Sequence, residues 1–196
     1  MLAITYADLR RQALVVVIFG LMGTGKTTLA RALGAALGWP VLHSDAVRKH
    51  LAGMAPTARA PLEFGKGIYA EDFSARTYAE IRRLAAASLA AGGSVILDAS
   101  FKRAPERELV HKLAREHGAR LVWVYCQCAA PVVKERLGIR LTNLQAISNG
   151  RVELLEAQAR DFDPLGPEAQ PLLRLNTGRE LEVVIEELKS FVQNFL

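Results

Sequence analysis

Cysteine is scarce in this chain of 196 residues, which contains only Cys126 and Cys128. Two cysteines separated by one residue on a predicted strand form a disulfide of poor geometry, and they lack the further Cys or His ligands of a zinc site. We therefore expect both thiols to be reduced and to lie in the core or at its edge.

Long apolar runs are also missing. No stretch approaches the ~20 apolar residues that span a bilayer, and the first residues, MLAITYADLRRQA, lack the features of a signal peptide. The four histidines show no metal-ligand spacing, and no repeat or low-complexity tract is present. These absences predict a cytoplasmic protein without a membrane partner.

The composition is that of an ordinary globular domain, with 51% hydrophobic and 23% charged residues. The net charge of +5 is compatible with an anionic ligand. We expect a single domain over residues 1–196, with an N-terminal arm over residues 1–13.

One segment combines a buried strand, a glycine-rich turn and a helix. The apolar run Leu14–Phe19 is followed by Gly20-x-x-x-x-Gly25-Lys26-Thr27, which is the signature of a phosphate-binding loop. Backbone N–H groups at a helix N-terminus form an anion site, where Lys26 reaches the phosphates and Thr27 ligates Mg²⁺. The loop therefore predicts nucleoside triphosphate binding by Gly20, Met22, Gly23, Thr24, Gly25, Lys26, Thr27 and Thr28.

Strand-like and helix-like segments alternate along the rest of the chain. The predicted strands are separated by helical patterns, which indicates a parallel sheet covered on both faces. The expected fold is three-layer αβα with a five-stranded parallel sheet and a helical lid at about residues 136–150. Ligands bind beyond the carboxyl ends of such strands. Strands are predicted at Leu14–Phe19, Trp39–His43, Ser94–Leu97, Leu121–Tyr125 and Leu172–Leu175.

Two carboxylates follow predicted strands and compete for two roles. Asp45 opens a helix after the second strand, with Arg48 on the same helix side. Asp98 follows the third strand, where phosphate-binding-loop proteins place an acidic partner of Mg²⁺. We prefer Asp45 as general base, Arg48 as acceptor clamp and Asp98 as metal ligand, although the reverse assignment of the acids stays open. Arg107 is expected to hold Asp98, to reach the acceptor or to face solvent.

Arg136 and Arg140 lie four residues apart on one predicted helix face at the start of the lid. A lid arginine stabilises the charge that spreads over the γ-phosphate during transfer. Either arginine fits that role, with a slight preference for Arg136.

These motifs together resemble a group of P-loop kinases that includes polynucleotide 5′-hydroxyl kinases, gluconate kinase, zeta toxins and chloramphenicol phosphotransferase, and above all the bacterial predicted kinases. The resemblance covers about residues 14–190. It departs from the predicted kinases at Ser148-Asn149-Gly150, where a carboxylate is missing. It rests on Gly20–Ala30, His43–Gly53, Gly67–Tyr69, Val95–Arg107, Glu135–Arg140, the helix with Gln158, and Asn176–Gly178.

The resemblance implies a P-loop NTPase fold and an ATP- and Mg²⁺-dependent kinase that phosphorylates a hydroxyl group, and it leaves the acceptor open. Our leading hypothesis for the acceptor is a small molecule. Asp-x-x-Arg after the second strand is what the polynucleotide kinases use as base and acceptor clamp. A polynucleotide acceptor is the alternative, and it requires a basic track. A regulatory module with slow ATP hydrolysis is the alternative from another class. The candidate basic track is Arg48, Lys49, His50, Lys102 and Arg103.

Overall fold

The computed structural model describes residues 12–55, 58, 67–142 and 152–196. Most of the expected N-terminal arm and residues 143–150 of the expected lid lie outside the described residues. The described part of the chain contains five strands: β1 (Leu14–Phe19), β2 (Val41–His43), β3 (Val95–Asp98), β4 (Arg120–Gln127) and β5 (Leu172–Asn176).

Seven α-helices lie in the same described ranges, together with two 3₁₀ turns. The helices are α1 (Lys26–Leu37), α2 (Ser44–Leu51), α3 (Glu71–Ala90), α4 (Ala104–Glu116), α5 (Ala130–Thr142), α6 (Val152–Arg160) and α7 (Leu181–Gln193). The 3₁₀ turns are Gly67–Tyr69 and Pro167–Ala169. In this part of the chain, no helix has the length and apolar character that a membrane span needs.

The strands form one parallel sheet in the order β2-β3-β1-β4-β5. Because successive side chains of a strand point to opposite faces of the sheet, β1 contributes residues to the hydrophobic core on each face. Val15, Val17 and Phe19 pack on the face covered by α3 and α4. Leu14, Val16 and Ile18 pack on the face covered by α1 and α7. The expected three-layer α/β fold with a five-stranded parallel sheet is therefore confirmed.

The strand register brings the predicted site residues to one edge of the sheet. Ile18 of β1 is paired with Asp98 of β3, and Asp98 is paired with His43 of β2. The phosphate-binding loop follows β1 directly, and α2 with Asp45 follows β2. The carboxyl ends of three adjacent strands therefore meet where the candidate site residues begin.

A few element boundaries differ from the expectation. β2 begins at Val41 instead of Trp39, because Pro40 has no N–H to donate to the hydrogen-bond ladder of the sheet. The carbonyl oxygen of Pro40 still accepts a hydrogen bond from the N–H of Ile96. Helix α5 continues to Thr142 and includes both candidate lid arginines, Arg136 and Arg140. Gly138 interrupts the helical pattern in the sequence, but a glycine inside a helix costs only about 1 kcal/mol.

Candidate active site

The phosphate-binding loop joins β1 to α1 through three glycines with positive φ: Gly20 (133°), Gly23 (76°) and Gly25 (82°). A Cβ on Gly20 would collide with the carbonyl oxygen of Cys126 on the adjacent strand. A Cβ on Gly23 would lie 2.6 Å from Val133 Cγ1 of α5. The glycines therefore allow both the turn and the close approach of its neighbours.

The side chain of Lys26 points back toward the loop that precedes it. Its Nζ donates a 2.6 Å hydrogen bond to the carbonyl oxygen of Leu21. The Thr24 hydroxyl donates to the same oxygen at 2.8 Å. The ammonium group is thus held against the backbone of the loop, the segment whose N–H groups face phosphate in P-loop proteins.

Thr27 and Asp98 are in direct contact. The Thr27 hydroxyl donates a 2.7 Å hydrogen bond to Asp98 Oδ2, and the Asp98 side chain is 5% exposed at the end of β3. A hydroxyl and a carboxylate oxygen are the hard ligands that Mg²⁺ prefers. The described residues contain no group of three or more His, Cys, Asp or Glu suited to a metal. This pair nevertheless fits Mg²⁺, because phosphate oxygens complete its ligand set in P-loop proteins.

His43 belongs to the same cluster, a position that was not predicted from the sequence. Its Nδ1 lies 2.8 Å from Asp98 Oδ2. The histidine reaches the carboxylate because the two residues are paired in the β2–β3 register. The sequence signal was its position at the last residue of a predicted strand, immediately before the candidate motif.

Asp45 is held by two residues for which the sequence predicted no such contact. The Tyr69 hydroxyl donates a 2.8 Å hydrogen bond to Asp45 Oδ1. Lys49 Nζ, one helical turn later in α2, lies 3.0 Å from Asp45 Oδ2 and its side chain is fully buried. The carboxylate therefore has a fixed orientation, in surroundings different from those of Asp98.

Arg48 is nearly buried between α2 and α3. Its Nη1 donates to the Ile68 carbonyl oxygen and, at 3.1 Å, to Ser74 Oγ. The guanidinium also lies 5.0 Å from the centre of the Tyr69 ring. Burial lowers the pKa of Arg48 from its ordinary value. Arg48 and Asp45 therefore both contact Tyr69, so the two expected acceptor-side residues are brought together.

A cavity of about 310 Å³ opens beside the loop. Arg136 of α5 lies in its wall and donates a 2.7 Å hydrogen bond to the Thr177 carbonyl oxygen. Thr177 in turn donates through its hydroxyl to the Thr24 carbonyl oxygen at 2.8 Å. The cavity is also lined by Gly25, Thr28, Ile139 and Leu181. The side chain of Arg140, the other candidate lid arginine, lies outside the described residues.

Arg107 has none of the three roles expected from the sequence. The side chain is fully buried. It donates to Glu168 Oε1 at 2.8 Å and to the carbonyl oxygens of Phe101 and Pro164 at 2.9 and 2.7 Å. The expectation was wrong because α4 turns this side chain toward the 163–168 segment, which then supplies its partners.

The sequence model of the AAA domain family matches residues 15–165. An uncharacterized protein of Mycobacterium tuberculosis (strain H37Rv) is 28% identical over 141 residues, which are 72% of this chain and 28% of that protein. The chain therefore spans little more than a quarter of the length of this curated relative.

Solved structures share the fold over nearly the whole chain. A provisionally assigned kinase from Chloroflexus aurantiacus has a TM-score of 0.69 and 23% identity, covering 96% of this chain and all of that one. A gluconokinase from Sinorhizobium meliloti has a TM-score of 0.64 and 20% identity, covering 94% and 96% of the two chains. These likenesses confirm the resemblance to P-loop kinases in fold.

Proposed function

The chain belongs to the AAA domain family, and from this premise we propose that it is an ATP-dependent kinase that transfers the γ-phosphoryl group to a hydroxyl of a small molecule. One observation carries the proposal. The Thr27 hydroxyl of the phosphate-binding loop contacts Asp98, Asp98 contacts His43, and α2 with Asp45 begins directly after His43. A donor site and a candidate base therefore lie at neighbouring strand ends.

The donor nucleotide binds along the loop and in the adjacent cavity. The loop N–H groups and Lys26 hold the phosphates, as in other P-loop proteins. The 310 Å³ cavity between Gly25 and Arg136 accepts the rest of the nucleotide. A Cβ on Gly25 would lie 3.5 Å from Arg136 Nη1, which supports a role for this guanidinium at the donor. Arg140 remains the alternative lid arginine.

Thr27 and Asp98 would hold Mg²⁺. The ion, when bound, neutralises charge on the β- and γ-phosphates of the donor. The chain's contribution is the pair of oxygen ligands 2.7 Å apart, together with His43, whose Nδ1 contacts the same Asp98 oxygen, Oδ2.

Asp45 acts as the general base in this proposal. As the acceptor oxygen forms its bond to the γ-phosphorus, the bond from that phosphorus to the β,γ-bridging oxygen breaks, and ADP leaves. The acceptor proton passes to Asp45, which can receive it because an ionised carboxylate keeps acceptor sites beyond those used by Tyr69 and Lys49. Arg48 lies one helical turn from the base and orients an anionic or polar group of the acceptor.

The surroundings favour a small acceptor over a polynucleotide. Apart from the proposed clamp Arg48, the candidate basic track contains Lys49, which is fully buried beside Asp45. Two other members, Lys102 and Arg103, form ion pairs with Asp161. Phosphate-backbone binding depends on cations that are available to neutralise phosphates, and these three are paired with carboxylates of the protein.

The experiment is ATP turnover with and without a panel of hydroxyl acceptors, including sugars, hydroxy acids and 5′-hydroxyl oligonucleotides. We expect one or more small acceptors to raise turnover and to appear as a phosphorylated product. Transfer to the oligonucleotide alone would replace the small molecule by a polynucleotide. Turnover that no acceptor raises would favour a nucleotide-responsive module instead of a kinase.

A further inference from the structure

The peptide between Leu21 and Met22 is held from both sides. Its carbonyl oxygen accepts hydrogen bonds from Lys26 Nζ at 2.6 Å and Thr24 Oγ1 at 2.8 Å. Its N–H, which belongs to Met22, donates a 2.7 Å hydrogen bond to Oε1 of Gln158. Gln158 is 136 residues away in sequence and reaches the loop from α6.

The same part of the loop rests on an apolar surface made by α5 and α6. Val133 and Leu137 of α5 and Leu155 of α6 form a small buried cluster, against which Leu21 and Met22 pack. Leu155 lies about one helical turn before Gln158 on α6, so the apolar contact and the hydrogen bond come from neighbouring positions of one helix. Gln158 thus adds a hydrogen bond to the loop next to the apolar contact made by Leu155.

The geometry of a peptide bond makes this contact important for the loop. The peptide unit is planar, and in the trans form its C=O and N–H point in opposite directions. An acceptor on the N–H side therefore fixes the carbonyl on the other side, where Lys26 and Thr24 bind it. Without that acceptor, the Met22 N–H is left without its protein partner and the peptide is free to rotate, which changes the oxygen that positions Lys26.

We propose that Gln158 is a positioning residue of the donor site. It sets the shape of the phosphate-binding loop by holding the Met22 N–H, and it thereby links the loop to the helix that follows the lid segment. This inference rests on the proposed function, since it assumes that the loop binds the phosphates of a nucleotide.

The test compares Gln158→Met, which keeps the length of the side chain and removes the acceptor, with Gln193→Met at an exposed position of α7. Calorimetric titration measures binding of ADP, whose β-phosphate occupies the loop, and of AMP, which lacks that phosphate. We expect Gln158→Met to weaken ADP binding about three- to tenfold, the equivalent of one hydrogen bond. AMP binding changes much less, and Gln193→Met behaves as wild type.

Hydrogen exchange supplies a readout that is independent of the nucleotide. The Met22 amide is protected in the wild type, exchanges faster in Gln158→Met, and regains protection in Gln158→Glu, which restores an acceptor oxygen. Equal loss of ADP and AMP affinity together with a lower melting temperature would show general packing and would overturn the proposal. A wild type that fails to bind ADP overturns the kinase proposal and this inference with it. Unchanged ADP binding in Gln158→Met overturns this inference alone.

Discussion

The Thr27 hydroxyl donates a 2.7 Å hydrogen bond to the carboxylate of Asp98. Because of this contact, the two candidate acids have different neighbours. Asp98 contacts Thr27 of the P-loop motif, whereas Asp45 is held by Tyr69 and Lys49. Different surroundings are how one site gives two carboxylates different roles. The contact therefore favours Asp98 as the metal ligand and Asp45 as the base, an assignment that variants can test.

Replacing the proposed base should remove transfer and leave donor binding. In Asp45→Asn the side chain keeps its shape but loses its basicity, so we expect a loss of about 10²–10⁴ in kcat, the usual contribution of a general base. The affinity for ADP stays close to wild type. The measurement is steady-state transfer to an acceptor found in the panel, combined with ADP titration.

Asp72→Asn, at an exposed position in the first turn of α3, is the matched control and should transfer at the wild-type rate. If Asp45→Asn leaves transfer intact but changes the Mg²⁺ dependence, the two acids have the opposite roles.

His43 should matter through Asp98. Partners that orient a metal-binding carboxylate typically contribute 10- to 100-fold to metal affinity or activity. We therefore expect His43→Ala to raise the Mg²⁺ concentration for half-maximal activity about tenfold, because the carboxylate loses the ring nitrogen that now lies 2.8 Å away. His50→Ala, at an exposed position of α2, provides the comparison. Equal Mg²⁺ curves for the two variants would rule out this role for His43.

The strand, loop and helix that form the donor side of this site were predictable from the sequence, because the residue patterns that indicate them are local. An apolar run, three spaced glycines and Lys26-Thr27 suffice to predict β1, the loop and α1, and the structure contains all three. Asp98 was found in the same way, from its position after an apolar run. Each of these signals lies within a few residues of the feature it predicts.

The contacts that hold the site were not predictable in this way, because they join distant segments. Tyr69 reaches Asp45 from a turn 24 residues later, and Gln158 reaches Met22 from α6. Arg107 shows the same limit, since its partner Glu168 lies 61 residues further along the chain. A charged residue with no visible partner in the sequence is easily taken for a surface or ligand-binding residue.

Arg107 should instead be essential for stability. Removing one member of a buried ion pair leaves the other charge without compensation, which typically costs about 3–5 kcal/mol. We expect Arg107→Ala to lower the free energy of unfolding by about that amount, measured by urea denaturation. Arg83→Ala, which removes an exposed pair with Glu80, should leave the urea midpoint unchanged. A similar midpoint for the two variants would contradict the structural role of Arg107.

The two cysteines should differ in reactivity because they differ in burial. Burial raises the pKa of the Cys126 thiol from 9.0 to about 12, and its side chain is 1% exposed. Cys128 is half-buried, and its Sγ lies 3.9 Å from Nη1 of Arg136. At pH 8 we expect one thiol to react with a disulfide reagent in the native protein and two after denaturation. Reaction of both thiols at equal rates in the native protein would contradict the buried position of Cys126.

The same two thiols report on pH and on the nucleotide. Because the folded pKa of Cys126 lies above its ordinary value, its contribution to stability is complete below about pH 9 and is lost as the pH rises toward 12. Cys126→Ser should therefore change the shape of the stability curve in that alkaline range.

Cys128 lies beside the arginine that lines the proposed donor cavity, so saturating ADP should slow its labelling. An unchanged labelling rate with ADP bound would place the nucleotide away from Arg136 and would leave Arg140 as the lid arginine of the proposed kinase.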